Sequence, residues 1–114
     1  MSDCLFCKIR DGQIPARVVY RDEQCLAFED INPQAPTHVL FIPNKHIATV
    51  NDITPEDREV VGQLFVAAAK LARERGHADN GYRVVMNTQR DAGQTVFHIH
   101  LHLLAGRSLH WPPG

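Results

Sequence analysis

Phe97-His98-Ile99-His100-Leu101-His102-Leu103-Leu104 is the stretch from which the rest of the chain can be read. Successive side chains of a strand point to opposite faces, so Phe97, Ile99, Leu101 and Leu103 share one face and His98, His100 and His102 the other. Three imidazoles spaced about 7 Å apart along one face suit metal chelation, nucleophilic catalysis with an acid–base partner, or phosphate binding. A merely structural row would need a partner for every buried ring nitrogen.

Immediately upstream, Asn87-Thr88-Gln89-Arg90-Asp91-Ala92-Gly93-Gln94-Thr95 is a polar loop. Gly93 allows close backbone approach, and the amides of Gln94 and Thr95, the Thr95 hydroxyl and the Asn87 side chain can donate to anionic oxygens. A phosphate cradle beside a nucleophilic imidazole is chemically coherent, because neutral imidazole attacks phosphorus and the phosphoimidazole is cleaved by water. Further out, Gly81 to Asn87, Thr37 to Pro43, and residues 17–21 and 24–29 around an Asp22-Glu23 turn read as strands. A long helix starts at Thr54, a cap residue, with Pro55 in the first position. Its apolar stripe is Val60, Val61, Leu64, Phe65, Ala68 and Leu71, and Gly76 stops it. A short helix spans Cys4 to Arg10. The elements predict an α+β fold: a five-stranded, mostly antiparallel sheet with one long and one short helix.

The 114 residues contain no linker, repeat or low-complexity tract, so one domain over 1–114 is expected. A net charge of −1 provides no bulk field for nucleic acid or an anionic membrane, so any phosphate must be bound locally. No apolar run approaches a membrane span, and MSDCLFCKIR lacks the layout of a signal peptide; a cytoplasmic location is expected. Three cysteines in such a chain argue for reduced thiols or a metal site. Cys4-Leu5-Phe6-Cys7 alone is half of a zinc site. The tail Trp111-Pro112-Pro113-Gly114 can continue neither helix nor ladder and should lie extended on a surface.

Thr95 to Leu104 resembles the signature of the histidine triad (HIT) family, His-φ-His-φ-His-φ-φ preceded by a Gly-Gln-Ser/Thr loop. The likeness runs from Phe6 through Ile14-Pro15, Phe28-Glu29-Asp30-Ile31, Pro36-Thr37-His38 and Ile42-Pro43-Asn44-Lys45-His46 to His110-Trp111-Pro112-Pro113-Gly114, and is strongest to the Hint branch of nucleotide-binding proteins. The resemblance implies the HIT fold, a homodimer joining two sheets, and hydrolysis of purine nucleoside phosphoramidates to AMP and amine without a cofactor for the chemistry. It implies that His100 is the nucleophile and becomes nucleotidylated, that His102 protonates the leaving group, and that His38 and His98 orient the nucleophile. It assigns the α-phosphate to Asn87, Gly93, Gln94 and Thr95. The nucleoside falls to Phe6, Ile9, Phe28, Asp30 and Ile31, with Asp30 on the ribose hydroxyls. Some members, chiefly bacterial, are similar at Cys4 and Cys7 and complete a structural zinc site with the residues matching His46 and His98. Gln89 departs from the family, which usually has glycine there, so either a different turn or strain at Gln89 is expected. Two other readings of the residues stand beside the enzyme: a hydrolase whose three histidines chelate one catalytic ion, and a non-enzymatic purine-nucleotide sensor or scaffold.

Overall fold

Asp22 closes the first hairpin. Its carboxylate accepts the main-chain N–H of Gln24 at 2.7 Å and of Cys25 at 2.8 Å, the Tyr20 hydroxyl at 2.6 Å and the Gln63 amide at 2.9 Å. Partial burial works against the charge, but these donors hold the carboxyl down at about 2. Asp22 thereby tethers the hairpin to the long helix, which carries Gln63. Its contribution is complete above the ordinary carboxylate range and is lost as the pH falls toward 2. Asp22→Ala is expected to cost roughly 2–3 kcal/mol in urea unfolding at pH 7, since several charge-assisted bonds go at once. A loss below about 0.5 kcal/mol would show the tether to be unimportant.

The computed structural model describes residues 3–114. Its elements are α1 (Leu5–Arg10), β1 (Val18–Arg21), β2 (Cys25–Glu29), β3 (Thr37–Pro43), α2 (Arg58–Glu74), β4 (Tyr82–Val85), α3 (Gln89–Ala92) and β5 (Leu101–Ala105). The strands form one sheet in the order β1-β2-β3-β5-β4, with every pair antiparallel. All seven residues of β3 are buried because both faces of the sheet are covered at its centre. Val39 and Phe41 face α2 through Leu64, Ala68 and Leu71, while Leu40 and Ile42 pack with Phe6 and Ile9 of α1. Period two therefore puts His38 on the α1 face with Leu40, and the register places Leu40 opposite His102.

Two expectations need correction. The histidine segment is not a strand from Phe97: the ladder begins at Leu101, and Phe97 is 47% exposed. Ahead of that point it is held by the end of β3 and the chain that follows. The Ile99 N–H donates to the Ile47 carbonyl at 2.7 Å, and the His98 ring reaches the Pro43 carbonyl at 2.8 Å. Phe65 also lies outside the core. The buried stripe of α2 is Leu64, Ala67, Ala68, Leu71 and Ala72, and one residue from Leu64 rotates Phe65 about 100° toward solvent. The long helix is preceded by a 3-10 turn at Pro55–Asp57, and Thr54 and Asp57 make a reciprocal capping box there. The tail crosses β4, whose Arg83 donates to the His110 carbonyl at 2.9 Å.

Candidate active site

Backbone carbonyls decide where the protons of the triad sit. A carbonyl only accepts, so the 2.8 Å contact between His100 Nδ1 and the His98 oxygen puts the His100 proton on Nδ1. Its Nε2 is left with an unprotonated lone pair. Burial keeps this imidazole below its ordinary pKa, and Phe6 closes on it edge-to-face with ring centroids 5.0 Å apart. His98 has the opposite arrangement. Its Nε2 donates to the Pro43 carbonyl, so its Nδ1 lone pair faces Cys4 Sγ at 3.3 Å, Cys7 Sγ at 3.5 Å and His46 Nδ1 at 3.3 Å. The third member, His102, meets His38 through Nδ1 and Nε2 at 2.9 Å, and Asp30 Oδ2 lies 3.4 Å from that same His38 nitrogen. Burial first, then the neighbouring His100 and His38, push His102 down to about 4.

The three triad rings thus do not converge on one point. His98 commits Nε2, and His100 and His102 commit Nδ1, each to a different partner, and among the described residues the three do not bring their ring nitrogens together to chelate a single catalytic ion. Two other donor sets do converge among the described residues: Cys4, Cys7, His46 and His98, and the trio Asp30, His38 and His102.

The polar loop contains α3, a single turn that the sequence did not indicate. Gln94 braces it. The Gln94 side-chain oxygen accepts the Gln89 N–H at 2.9 Å, its amide donates to the carbonyls of Ala48 and Val96, and its main-chain N–H donates to the Gln89 carbonyl. Gln94 therefore shapes the cradle, leaving Thr95 and Gly93 exposed and Asn87 half-buried at its edge. Gly93 has φ +84°, and a Cβ there would meet nothing within 4 Å, so it is backbone conformation that calls for glycine. Gln89 has φ +66°, the one non-glycine residue with positive φ among the described residues. Gln89→Gly is expected to stabilise the protein by about 0.5–1 kcal/mol, the left-handed penalty less the entropy cost of glycine. Equilibrium denaturation would check this; a destabilisation would mean the side chain makes a compensating contact.

The predicted nucleoside residues divide into two groups. Phe6, Ile9 and Phe28 are buried in the core beneath the site, with the Phe6 and Phe28 rings 5.4 Å apart. Ile31 is fully exposed, and with Pro15, Ala16, Arg17, Glu29, Asp30 and Pro33 it lines a cleft of about 520 Å³. Asp30 links the cleft to the histidines: one carboxylate oxygen accepts the Asn32 N–H at 2.8 Å and the other faces His38. Sequence reasoning missed the carbonyls of His98 and Pro43, since main-chain acceptors leave no mark in a sequence. It also missed Arg75, whose guanidinium holds Glu29 at 2.6 Å.

An antiparallel sheet in an α+β fold, carrying His98, His100 and His102 directly after a braced polar loop, defines a histidine-triad protein. The HIT domain profile matches residues 11–109, and the chain belongs to the HIT family. It is 50% identical over 108 residues to the purine nucleoside phosphoramidase of Escherichia coli (strain K12), covering 95% of this chain and 91% of that protein. It is 49% identical over 113 residues to an uncharacterized HIT-like protein of Synechocystis, covering 99% of this chain and 98% of the relative. Among solved structures, a HIT family hydrolase from Legionella pneumophila Philadelphia 1 superposes with a TM-score of 0.96 at 55% identity, covering 98% of this chain and all of that one. A histidine triad protein from Clostridium difficile superposes with a TM-score of 0.92 at 44% identity, covering 96% of each chain.

Proposed function

We propose that the chain hydrolyses purine nucleoside 5′-phosphoramidates to the nucleoside monophosphate and an amine. The observation that carries this reading is the His100 tautomer: a buried imidazole whose Nδ1–H is committed to a carbonyl and whose Nε2 is a free nucleophile beside a polar cradle. The 50% identity to a purine nucleoside phosphoramidase supports the substrate class. In the first step His100 Nε2 bonds to the α-phosphorus and the P–N bond breaks, its electron pair leaving with nitrogen. That nitrogen takes a proton from His102, which the phosphate anion has helped to charge. In the second step water bonds to phosphorus, the His100–phosphorus bond breaks, and a proton of the water returns to His102. Asn87, Gly93 and Thr95 hold the phosphate in the cradle braced by Gln94. Asp30 takes the ribose hydroxyls, with Ile31 on the open side of the nucleoside and Phe6, Ile9 and Phe28 beneath it. His38 orients His102, and His98 orients His100 through its carbonyl.

The proposal extends to a structural zinc on Cys4, Cys7, His46 and His98. Tetrahedral zinc with ordinary bond lengths puts nitrogen ligands about 3.3 Å apart and sulfur and nitrogen about 3.6 Å apart. The donors stand at 3.3 Å for His46–His98 and 3.3–3.5 Å for the sulfur–nitrogen pairs. The His98 Nε2–H bound to a carbonyl is the outer support such a ligand requires. The metal supplies a cross-link and no part of the reaction. A homodimer is also proposed. β4 is an edge strand, and Phe65, Val66 and Trp111 are exposed, with Trp111 at 83%. Among the described residues no helix is long and apolar enough to cross a membrane. We place the activity in the cytoplasm, where thiols stay reduced.

Incubation with an adenosine phosphoramidate of a simple amine should release AMP and amine in equal amounts. Tight AMP binding with no turnover would instead favour a nucleotide sensor.

A further inference from the structure

The His38–His102 contact is an N···N pair, and its distance does not say which nitrogen holds the proton. A third group does. The main-chain N–H of Gln34 donates to His38 Nδ1 at 3.0 Å. An N–H cannot accept, so His38 Nδ1 carries no proton and neutral His38 has its proton on Nε2. Nε2–H then donates to His102 Nδ1 at 2.9 Å, and neutral His102 must keep its own proton on Nε2. One backbone amide therefore sets two tautomers in sequence.

The loop presenting that amide is held from the turn after β5. Arg107 donates through Nε to the Gln34 carbonyl at 3.0 Å. At Gly106 a Cβ would lie 2.8 Å from Pro36 Cβ, so the turn packs directly on the same loop. Asp30 accepts the Asn32 N–H within it. The charged and titratable groups facing the pair are Asp30 on the His38 side, Glu29 with its partner Arg75 behind it, and His100 beside His102.

We propose that the Gln34 main-chain N–H is a positioning group for the reaction, fixing the proton on Nε2 of both His38 and His102 and holding the pair neutral until an anionic substrate binds. A second proton on the pair must either occupy His38 Nδ1, against the Gln34 N–H, or displace the His38 proton from between the rings. Charging therefore breaks either the Gln34 bond or the bond between the two rings, and the phosphate anion is what offsets that loss. The same N–H counts against Asp30, His38 and His102 as a metal trio. A metal on His38 Nε2 would force the proton onto Nδ1, into the Gln34 donor.

The kinetic part of this inference rests on the phosphoramidase reading, while the proton placement does not. Long-range ¹H–¹⁵N correlation spectra of the [¹⁵N]histidine-labelled wild-type protein, assigned against His38→Gln, distinguish protonated from unprotonated ring nitrogens without any substrate. Both His38 and His102 should show a protonated Nε2 and a bare Nδ1 at neutral pH; the opposite tautomer in either ring would overturn the proposal. Gln34→Pro removes the N–H, and Gln34→Ala keeps it while losing the side chain. Gln34→Pro should mix the His38 tautomers, raise the pH at which the pair charges by about one unit, and lower kcat about tenfold or more with KM nearly unchanged. Gln34→Ala, which gives up only a side-chain bond to the Asn32 carbonyl at 3.0 Å, should keep the wild-type tautomers of both rings. A folded Gln34→Pro protein with wild-type ring nitrogens and kcat would overturn the proposal. Failure of wild type to turn over any phosphoramidate would count against the activity and leave the spectra to decide the tautomers.

Discussion

His100→Ala is expected to lose turnover of adenosine phosphoramidates by a factor on the order of 10⁴ or more, the scale that follows when a covalent nucleophile is removed and no neighbour can replace it. No neighbour can, because His98 Nδ1 faces two thiols and His102 Nδ1 faces His38. The variant should still fold. His100 gives up one hydrogen bond to the His98 carbonyl and its edge contact with Phe6, a loss of about 2–3 kcal/mol typical of a truncated buried side chain. AMP binding should survive, since the cradle and the cleft are built from other residues. Initial rates on pure protein, with circular dichroism to establish folding, test this. Turnover within tenfold of wild type would remove His100 from the mechanism.

Purified protein is expected to carry close to one zinc per chain, and stripping it should lower stability by several kcal/mol. Structural zinc sites contribute metal-binding free energy directly to folding, on the order of 10 kcal/mol in small peptides. Here the four donors tie the helix α1 to the segment after β3 and to the residue that holds His100 by its carbonyl. Cys4 caps α1, and Phe6 within α1 packs on the nucleophile. Loss of metal should therefore also reduce activity, by loosening the floor of the site. Elemental analysis and thermal unfolding with and without a chelator read both effects. Zinc well under one per chain, with Cys7→Ser as stable as wild type, would contradict the metal site.

Much of the site is legible in the sequence because it is written in side-chain type and period. The alternation from Ile99 to Leu103 put His100 and His102 on one face, and the strand over Thr37 to Pro43 has the bounds its apolar run indicated. Gln89, singled out for lacking a glycine, does adopt positive φ. What the sequence hid depends on the main chain and on distant partners. The ladder of β5 starts late because Ile47 and Pro43 carbonyls capture the segment before it, and these acceptors belong to no residue type. Gln94 reads as a ligand donor, and the sequence does not show that its side-chain amide also braces its own loop through Gln89, Ala48 and Val96. Phe65 fitted a helical period yet sits one residue off the buried stripe, a rotation that composition alone cannot fix.

His100 is expected to become covalently nucleotidylated during turnover. Wild-type protein mixed briefly with a tryptamine adenosine phosphoramidate, quenched in acid and weighed intact, should carry one adenylyl group that maps to the peptide containing His100. His100→Ala should carry none. AMP release at full rate with no adduct at any quench time, or an adduct on another residue, would show that His100 is not the nucleophile.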